Sequence, residues 1–265
     1  MKKTLLLAAC GASALAALAQ DPAARLENSP RHHEWAQPKA GDRTVSTFVV
    51  YPEVKTKALA VIVIHENRGL NDWARSVADR LAEAGYIALA PDLLSGKAPG
   101  GGDTKDFPSS SDATRAIGQL PAAETVAALH AVADYAQKIP AANGKVAVIG
   151  FCWGGSQTWR FAMNRPDLVL ACPFYGTAPD DAEGFARIKA PVHAFYGGND
   201  ERVNSTIERT REAMKTHGKA FDPVIHEGAR HAYMRAAESP EADEPNKKAA
   251  AESWKRLLGL LKESS

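Results

Sequence analysis

From residue 45 onward the chain alternates short apolar runs with longer stretches in which apolar residues recur at helical spacing. Residues 59–64 form an unbroken apolar run, as expected for a strand covered on both faces. Residues 87–90, 146–149, 168–174 and 191–196 read the same way, with a later strand at 221–226. Residues 45–51 read as an alternating edge strand. Between these runs, residues 72–84 carry Val77, Leu81 and Ala84 at helical spacing, and a further helix begins at Ser156. Residues 122–137 and 249–262 are amphipathic, the second expected to lay Trp254, Leu257, Leu258 and Leu261 on the sheet. Strands alternating with helices predict the α/β class: a mostly parallel, doubly wound sheet with helices on both faces. No internal repeat interrupts the pattern, and 265 residues with 45% hydrophobic content suit a single domain.

Three stretches lack this pattern. Residues 95–111, rich in glycine, serine and proline, read as a loop over the site region. Residues 20–42 are polar and proline-bearing, and read as a linker or an arm laid on a domain spanning 43–265. Residues 1–19 read as a signal peptide: Lys2-Lys3, an apolar run over 4–18, and Ala17-Leu18-Ala19 before Gln20 as the cleavage site. Leu7-Ala8-Ala9-Cys10 matches a lipid-anchor signal locally. The apolar run before Cys10 is short for that purpose, so ordinary cleavage and export to the periplasm or the exterior is favoured. The run is also shorter than the roughly 20 residues needed for a membrane span.

Composition narrows the function by exclusion. The formal charge is +1, becoming −1 once Lys2 and Lys3 leave, and no basic patch points to nucleic acid. Export would leave Cys152 and Cys172 where disulfides are permitted. Cys172 lies inside its strand run and Cys152 just past its own, an offset too large for a disulfide. No metal or haem spacing is present, His32-His33 lacks neighbours for a metal site, and no cofactor is expected. His130, His193, His217 and His226 read as structural residues.

The chemistry gathers around Gly150-Phe151-Cys152-Trp153-Gly154-Gly155, which follows the apolar run 146–149 and precedes a helix. Strand, sharp turn with a central nucleophile, helix: this is the nucleophile elbow of α/β-hydrolases, with cysteine in place of serine. The turn is tight, so small residues are needed where a Cβ would strike the neighbouring strand or helix. Two partners follow in the order this fold class requires. The strand at 191–196 ends in Gly197-Gly198-Asn199-Asp200, and that at 221–226 ends in Glu227-Gly228-Ala229-Arg230-His231. Cys152, Asp200 and His231 are therefore the expected nucleophile, orienting acid and base.

These motifs resemble the dienelactone hydrolase family, which uses a cysteine, histidine and aspartate triad. The resemblance extends to Ile64-His65-Glu66-Asn67-Arg68-Gly69-Leu70-Asn71 after an early strand and to Ala90-Pro91-Asp92-Leu93-Leu94. It also includes the acid loop Tyr196-Gly197-Gly198-Asn199-Asp200 and the histidine loop Gly228-Ala229-Arg230-His231-Ala232-Tyr233, so it covers roughly residues 44–261. It implies an α/β-hydrolase fold and a catalytic support role for Glu66, which faces the resting thiol in that family. The oxyanion hole would be the backbone N–H groups of Trp153 and Asn67.

The chain departs from the family at the substrate clamp. Substrate carboxylates are held there by an arginine four residues after the Pro-Asp-Leu aspartate and another four after the histidine. The first position here is Gly96, with Lys97 beside it; the second is Arg235. Arg68 is a candidate replacement charge, although a lysine does not reproduce the guanidinium fork. Trp153 and Tyr233 flank catalytic positions and are candidates to line the pocket. The expected activity is hydrolysis of small esters or lactones by a monomer through an acyl-cysteine intermediate. A thioesterase or acyltransferase is the alternative within enzymes, and a non-catalytic small-molecule-binding member of the fold is the alternative outside them.

Overall fold

The computed structural model describes residues 21–265. Continuous apolar runs become the inner strands of an eight-stranded sheet because they have two faces to cover. In strand order along the chain, β1 (His33–Ala36) precedes a small separate hairpin, β2 (Lys39–Ala40) and β3 (Arg43–Thr44). Then come β4 (Thr47–Val50), β5 (Ala58–Ile64), β6 (Ile87–Pro91), β7 (Ala142–Phe151), β8 (Leu168–Phe174), β9 (Val192–Gly197) and β10 (Phe221–His226). The sheet order is β1-β4-β6-β5-β7-β8-β9-β10. The β1–β4 and β4–β6 pairs are antiparallel, and all the others are parallel.

Side chains of β5 alternate between two cores. Leu59, Val61 and Val63 meet α2 (Asp72–Glu83) and α10 (Glu244–Ser264) on one face. Ala60, Ile62 and Ile64 meet α4 (Ala122–Lys138) and α5 (Trp153–Asn164) on the other. Trp254, Leu257 and Leu261 of α10 are buried and Leu258 packs beside them, as the amphipathic pattern predicts. Among the described residues no helix is long and apolar enough to cross a membrane.

The structure corrects the reading of the chain before residue 51. β4 is not an edge: all four residues are buried, and β1 pairs with it from His33↔Val50 to Ala36↔Thr47. The arm therefore supplies the outer strand, and before it a short helix, α1 (Pro22–Glu27). Its anchor is ionic, so no apolar period announces it. Asp79 on α2 is wholly buried and accepts hydrogen bonds from Arg25 Nε at 2.7 Å, Arg31 Nη2 at 2.7 Å and Ser29 Oγ at 2.5 Å. Burial alone would raise the Asp79 carboxyl, but the hydrogen bonds from Arg31 and Ser29 and the charge of Arg25 prevail and hold it at about 2.

The segment 95–111 is also more ordered than its composition suggests. Asp92, at the end of β6, accepts from the Thr104 backbone N–H at 2.8 Å and the Thr104 hydroxyl at 2.6 Å. Ser109 then caps α3 (Ser110–Gly118) by accepting from the Asp112 N–H. The remaining helices are α6 (Ala182–Arg187), α7 (Glu201–Asn204), α8 (Ile207–Thr216) and α9 (Tyr233–Ala236). Because β5 through β10 run parallel, the loops after β5, β7, β9 and β10 gather at one sheet edge, the usual place for a ligand in this architecture.

Candidate active site

β7 ends at Phe151, and Cys152 turns the chain with φ 55° and ψ −114°, a strained conformation for a residue with a Cβ. Helix α5 starts at once at Trp153 rather than at Ser156, so Gly154 and Gly155 belong to its first turn. The close approaches explain the composition. A Cβ on Gly150 would lie 2.2 Å from the Gly154 carbonyl oxygen, and one on Gly154 would lie 2.4 Å from the carbonyl oxygens of both Ile64 and His65. The Cys152 N–H donates to Phe174 O at 3.0 Å, which ties the elbow to β8.

Two further loops bring the partners to the thiol. The Gly198 N–H donates to His226 O at 2.7 Å and the Asn199 N–H to Ala229 O at 2.9 Å, so the loops after β9 and β10 are bound together. Asp200 is buried, with Oδ2 2.5 Å from His231 Nδ1, and His231 Nε2 is 3.1 Å from Cys152 Sγ. The Cys152 contact first, and then Asp200, outweigh burial and push the His231 imidazole up to about 9. This line of three groups has the contacts that a nucleophile, its base and an orienting acid require. Cys172, paired in register with Ile149, lies apart from it. That thiol is buried and uncombined, and burial pushes it far above the ordinary thiol range.

A cavity of about 570 Å³ opens over Cys152 and His231. Its walls include Glu66, Asn67, Arg68 and Arg235 from the sequence reading, together with Ser110, Ser111, Thr114 and Arg202, which that reading missed. Arg202 follows Asp200 by two residues, a position in the acid loop that could have drawn notice. Ser110 and Ser111 lie in a segment whose composition signals only a loop.

Other expected site residues take different places. Glu66 lines the same cavity as Cys152, and its carboxylate is held by two partners. Its Oε2 accepts from Arg235 Nε at 2.7 Å, and its Oε1 accepts from the Tyr175 hydroxyl at 3.5 Å. Burial and then the Glu66 charge raise Tyr175 well above the usual phenol range. Tyr233 does not line the cavity. It is wholly buried beneath, with its hydroxyl 2.7 Å from Ser253 Oγ and its ring against Tyr175. The Trp153 indole also turns away, stacking on His65 with ring centroids 5.5 Å apart and packing beside Ala113 and Ile117. Its backbone N–H remains at the start of α5, where a helix has no internal acceptor. Gly96 and Lys97 border a separate cavity, where Lys97 Nζ binds Glu124 at 2.7 Å. They contribute nothing to the pocket over Cys152. Among the described residues, no three His, Cys, Asp or Glu side chains are grouped to hold a metal ion.

Comparison with known proteins identifies the family and the fold. The profile of the dienelactone hydrolase family matches residues 45–265. A protein of Methylorubrum extorquens, provisionally named carboxymethylenebutenolidase, is 30% identical over 209 residues, covering 74% of this chain and 69% of its own. An Escherichia coli K12 protein with the same provisional name is 27% identical over 251 residues, covering 89% of this chain and 83% of its own. The crystal structure of a provisionally named dienelactone hydrolase from Klebsiella pneumoniae superposes with a TM-score of 0.76 at 24% identity, covering 88% of this chain and 98% of that one. The elbow, the loop order and these matches place the chain in the dienelactone hydrolase family, as a hydrolase of the α/β-hydrolase fold.

Proposed function

We propose that the protein hydrolyses small carboxylic esters or lactones through an acyl-cysteine intermediate on Cys152. The observation that carries this reading is the unbroken line Cys152 Sγ, His231, Asp200 at 3.1 Å and 2.5 Å, at the floor of an open cavity. His231 takes the thiol proton, and the thiolate sulfur bonds to the substrate carbonyl carbon. The carbonyl electron pair moves to oxygen, where the N–H groups of Trp153 and Asn67 accept the charge as hydrogen-bond donors. Collapse expels the alcohol oxygen, which takes the proton from the His231 imidazolium and leaves a thioester on Cys152. Water, losing a proton to His231, then attacks that thioester. The acid leaves, and the thiolate and imidazolium are restored.

Glu66 and Arg235 support this chemistry as a pair. A carboxylate near the thiol opposes thiolate formation, and the Arg235 guanidinium bound to Glu66 offsets that charge. Arg68 and Arg235 are cations on the wall of the cavity that a substrate enters. The cavity walls are hydroxyl, amide and charged groups with one alanine, which suits small polar substrates and not long lipids. A monomer is the proposed state, which sedimentation equilibrium would test. Residues 1–19, outside the described residues, would direct export and then be removed, as sequencing the amino terminus of the exported protein would test.

Turnover of 4-nitrophenyl acetate and of a small lactone, with Cys152→Ala as the blank, tests the reading. Stoichiometric labelling of Cys152 by iodoacetamide should remove activity in parallel. Full turnover by the labelled protein would overturn it.

A further inference from the structure

Every arginine among the described residues has a carboxylate oxygen within 4.0 Å except Arg68, Arg160 and Arg202. Two of these three, Arg68 and Arg202, line the cavity over Cys152. The carboxylates nearest the chemistry are engaged: Glu66 by Arg235, and Asp200 by His231. Glu201 sits beside Arg202 on α7 but does not line the cavity. An exposed guanidinium at a cavity wall with no acid to neutralise it is a site for an incoming anion.

The topology says which end of the substrate that anion belongs to. His231 gives its proton to the departing alcohol, so the leaving group lies on the histidine side of the thiol. Arg202 stands two residues beyond Asp200, the acid that holds His231, on the turn that follows β9. Arg68 instead follows Asn67 in the loop after β5, on the other side of β7 in the sheet. The hydroxyls of Ser110, Ser111 and Thr114 complete a wall that offers hydrogen bonds.

From this placement we propose that Arg202 is a specificity-determining residue that binds an oxyanion, carboxylate or phosphate, carried on the alcohol part of the substrate. The proposal rests on the hydrolase reading above and deepens it: the preferred esters are those of anionic hydroxy compounds. It also separates leaving-group recognition by Arg202 from acyl-side recognition by Arg68.

The test compares 4-acetoxy-3-nitrobenzoate with its methyl ester, and adds 4-acetoxy-3-nitrophenyl phosphate to distinguish carboxylate from phosphate. In Arg202→Gln the ratio of kcat/KM for anion over neutral ester should fall about tenfold, carried by KM. Arg202→Lys should restore part of it, and added salt should erode the wild-type ratio. The arm with the larger fall names the anion. An unchanged ratio, or equal losses on charged and neutral esters, overturns the proposal. A second measurement needs no turnover: 4-hydroxy-3-nitrobenzoate should bind Cys152→Ala about tenfold more tightly than Cys152→Ala/Arg202→Gln in calorimetry. Equal binding overturns the anion site even where hydrolysis proceeds. Absence of Cys152-dependent hydrolysis together with that tenfold difference overturns only the reading of the reaction.

Discussion

At the scale of single residues, the protonation of His231 sets the expected behaviour. Its folded-state pKa of about 9 stands above the ordinary value of 6.5. The stability it contributes is therefore full below about pH 6.5 and lost as pH rises through about 9. The same proton is the one delivered to the leaving group, so kcat/KM should decline on the alkaline side near pH 9. Asp200→Asn removes one of the groups that raise this pKa. The alkaline limb should move to lower pH while turnover falls by about 10³–10⁴-fold, as wrong-tautomer variants of such triads do. A pH–rate profile of the variant checks both; an unmoved limb would mean that Asp200 does not hold the imidazolium. Cys172 gives the contrasting case, a thiol so buried that iodoacetamide should label it far more slowly than Cys152, by mass spectrometry of timed digests.

At the scale of elements, the elbow and the arm are held by opposite kinds of interaction. The elbow relies on absent atoms. Gly154→Ala would drive a Cβ into two backbone oxygens of the β5 loop that cannot rotate away, so a loss of about 1–3 kcal/mol and a lower Tm are expected from thermal unfolding. The arm relies on charge. Asp79→Ala removes the buried acid that Arg25 and Arg31 share and leaves them only the half-exposed Glu83, a loss of up to about 3–5 kcal/mol, with faster proteolysis within residues 21–36 as the local signature. Because the Asp79 carboxyl is depressed, its contribution is present above the ordinary carboxylate range and lost as pH falls toward 2. The difference in stability between wild type and Asp79→Ala should therefore shrink between about pH 4 and pH 2.

At the scale of the whole molecule, the order of strands decides which loops share a cavity. Sequence spacing from Pro91-Asp92 suggests Gly96 as a place to restore the missing clamp arginine. The fold puts Gly96 at φ 73° on a different cavity, beside Arg43 and Glu124. Gly96→Arg should accordingly cost about 1 kcal/mol or more from the left-handed backbone. The same variant should change the preference for an acyl-side carboxylate less than twofold. A tenfold gain in kcat/KM for such a substrate, measured against its neutral analogue, would show that the side chain reaches Cys152 after all.

What the sequence determined by itself was everything written in local pattern or in chain order. Continuous apolar runs have to be strands covered on two faces, and glycines around Cys152 have to mark a turn with no room for a Cβ. Cysteine, then Asp200, then His231, each just past a strand, needed only parallel strands to bring them to one sheet edge. The tertiary structure alone decided what depends on direction and on distant partners. The arm became strand β1 because of a buried carboxylate far along the chain, with no apolar period to announce it. Trp153 and Tyr233 stand beside the catalytic positions in sequence, yet helix geometry turns one ring onto His65 and sinks the other beneath the site. Glu66 answers to Arg235, and Arg202 enters the cavity, because strand order sets which side chains face each other across it. Periodicity fixes the face a residue occupies within its own element; the neighbour across a cavity is fixed only when the elements pack.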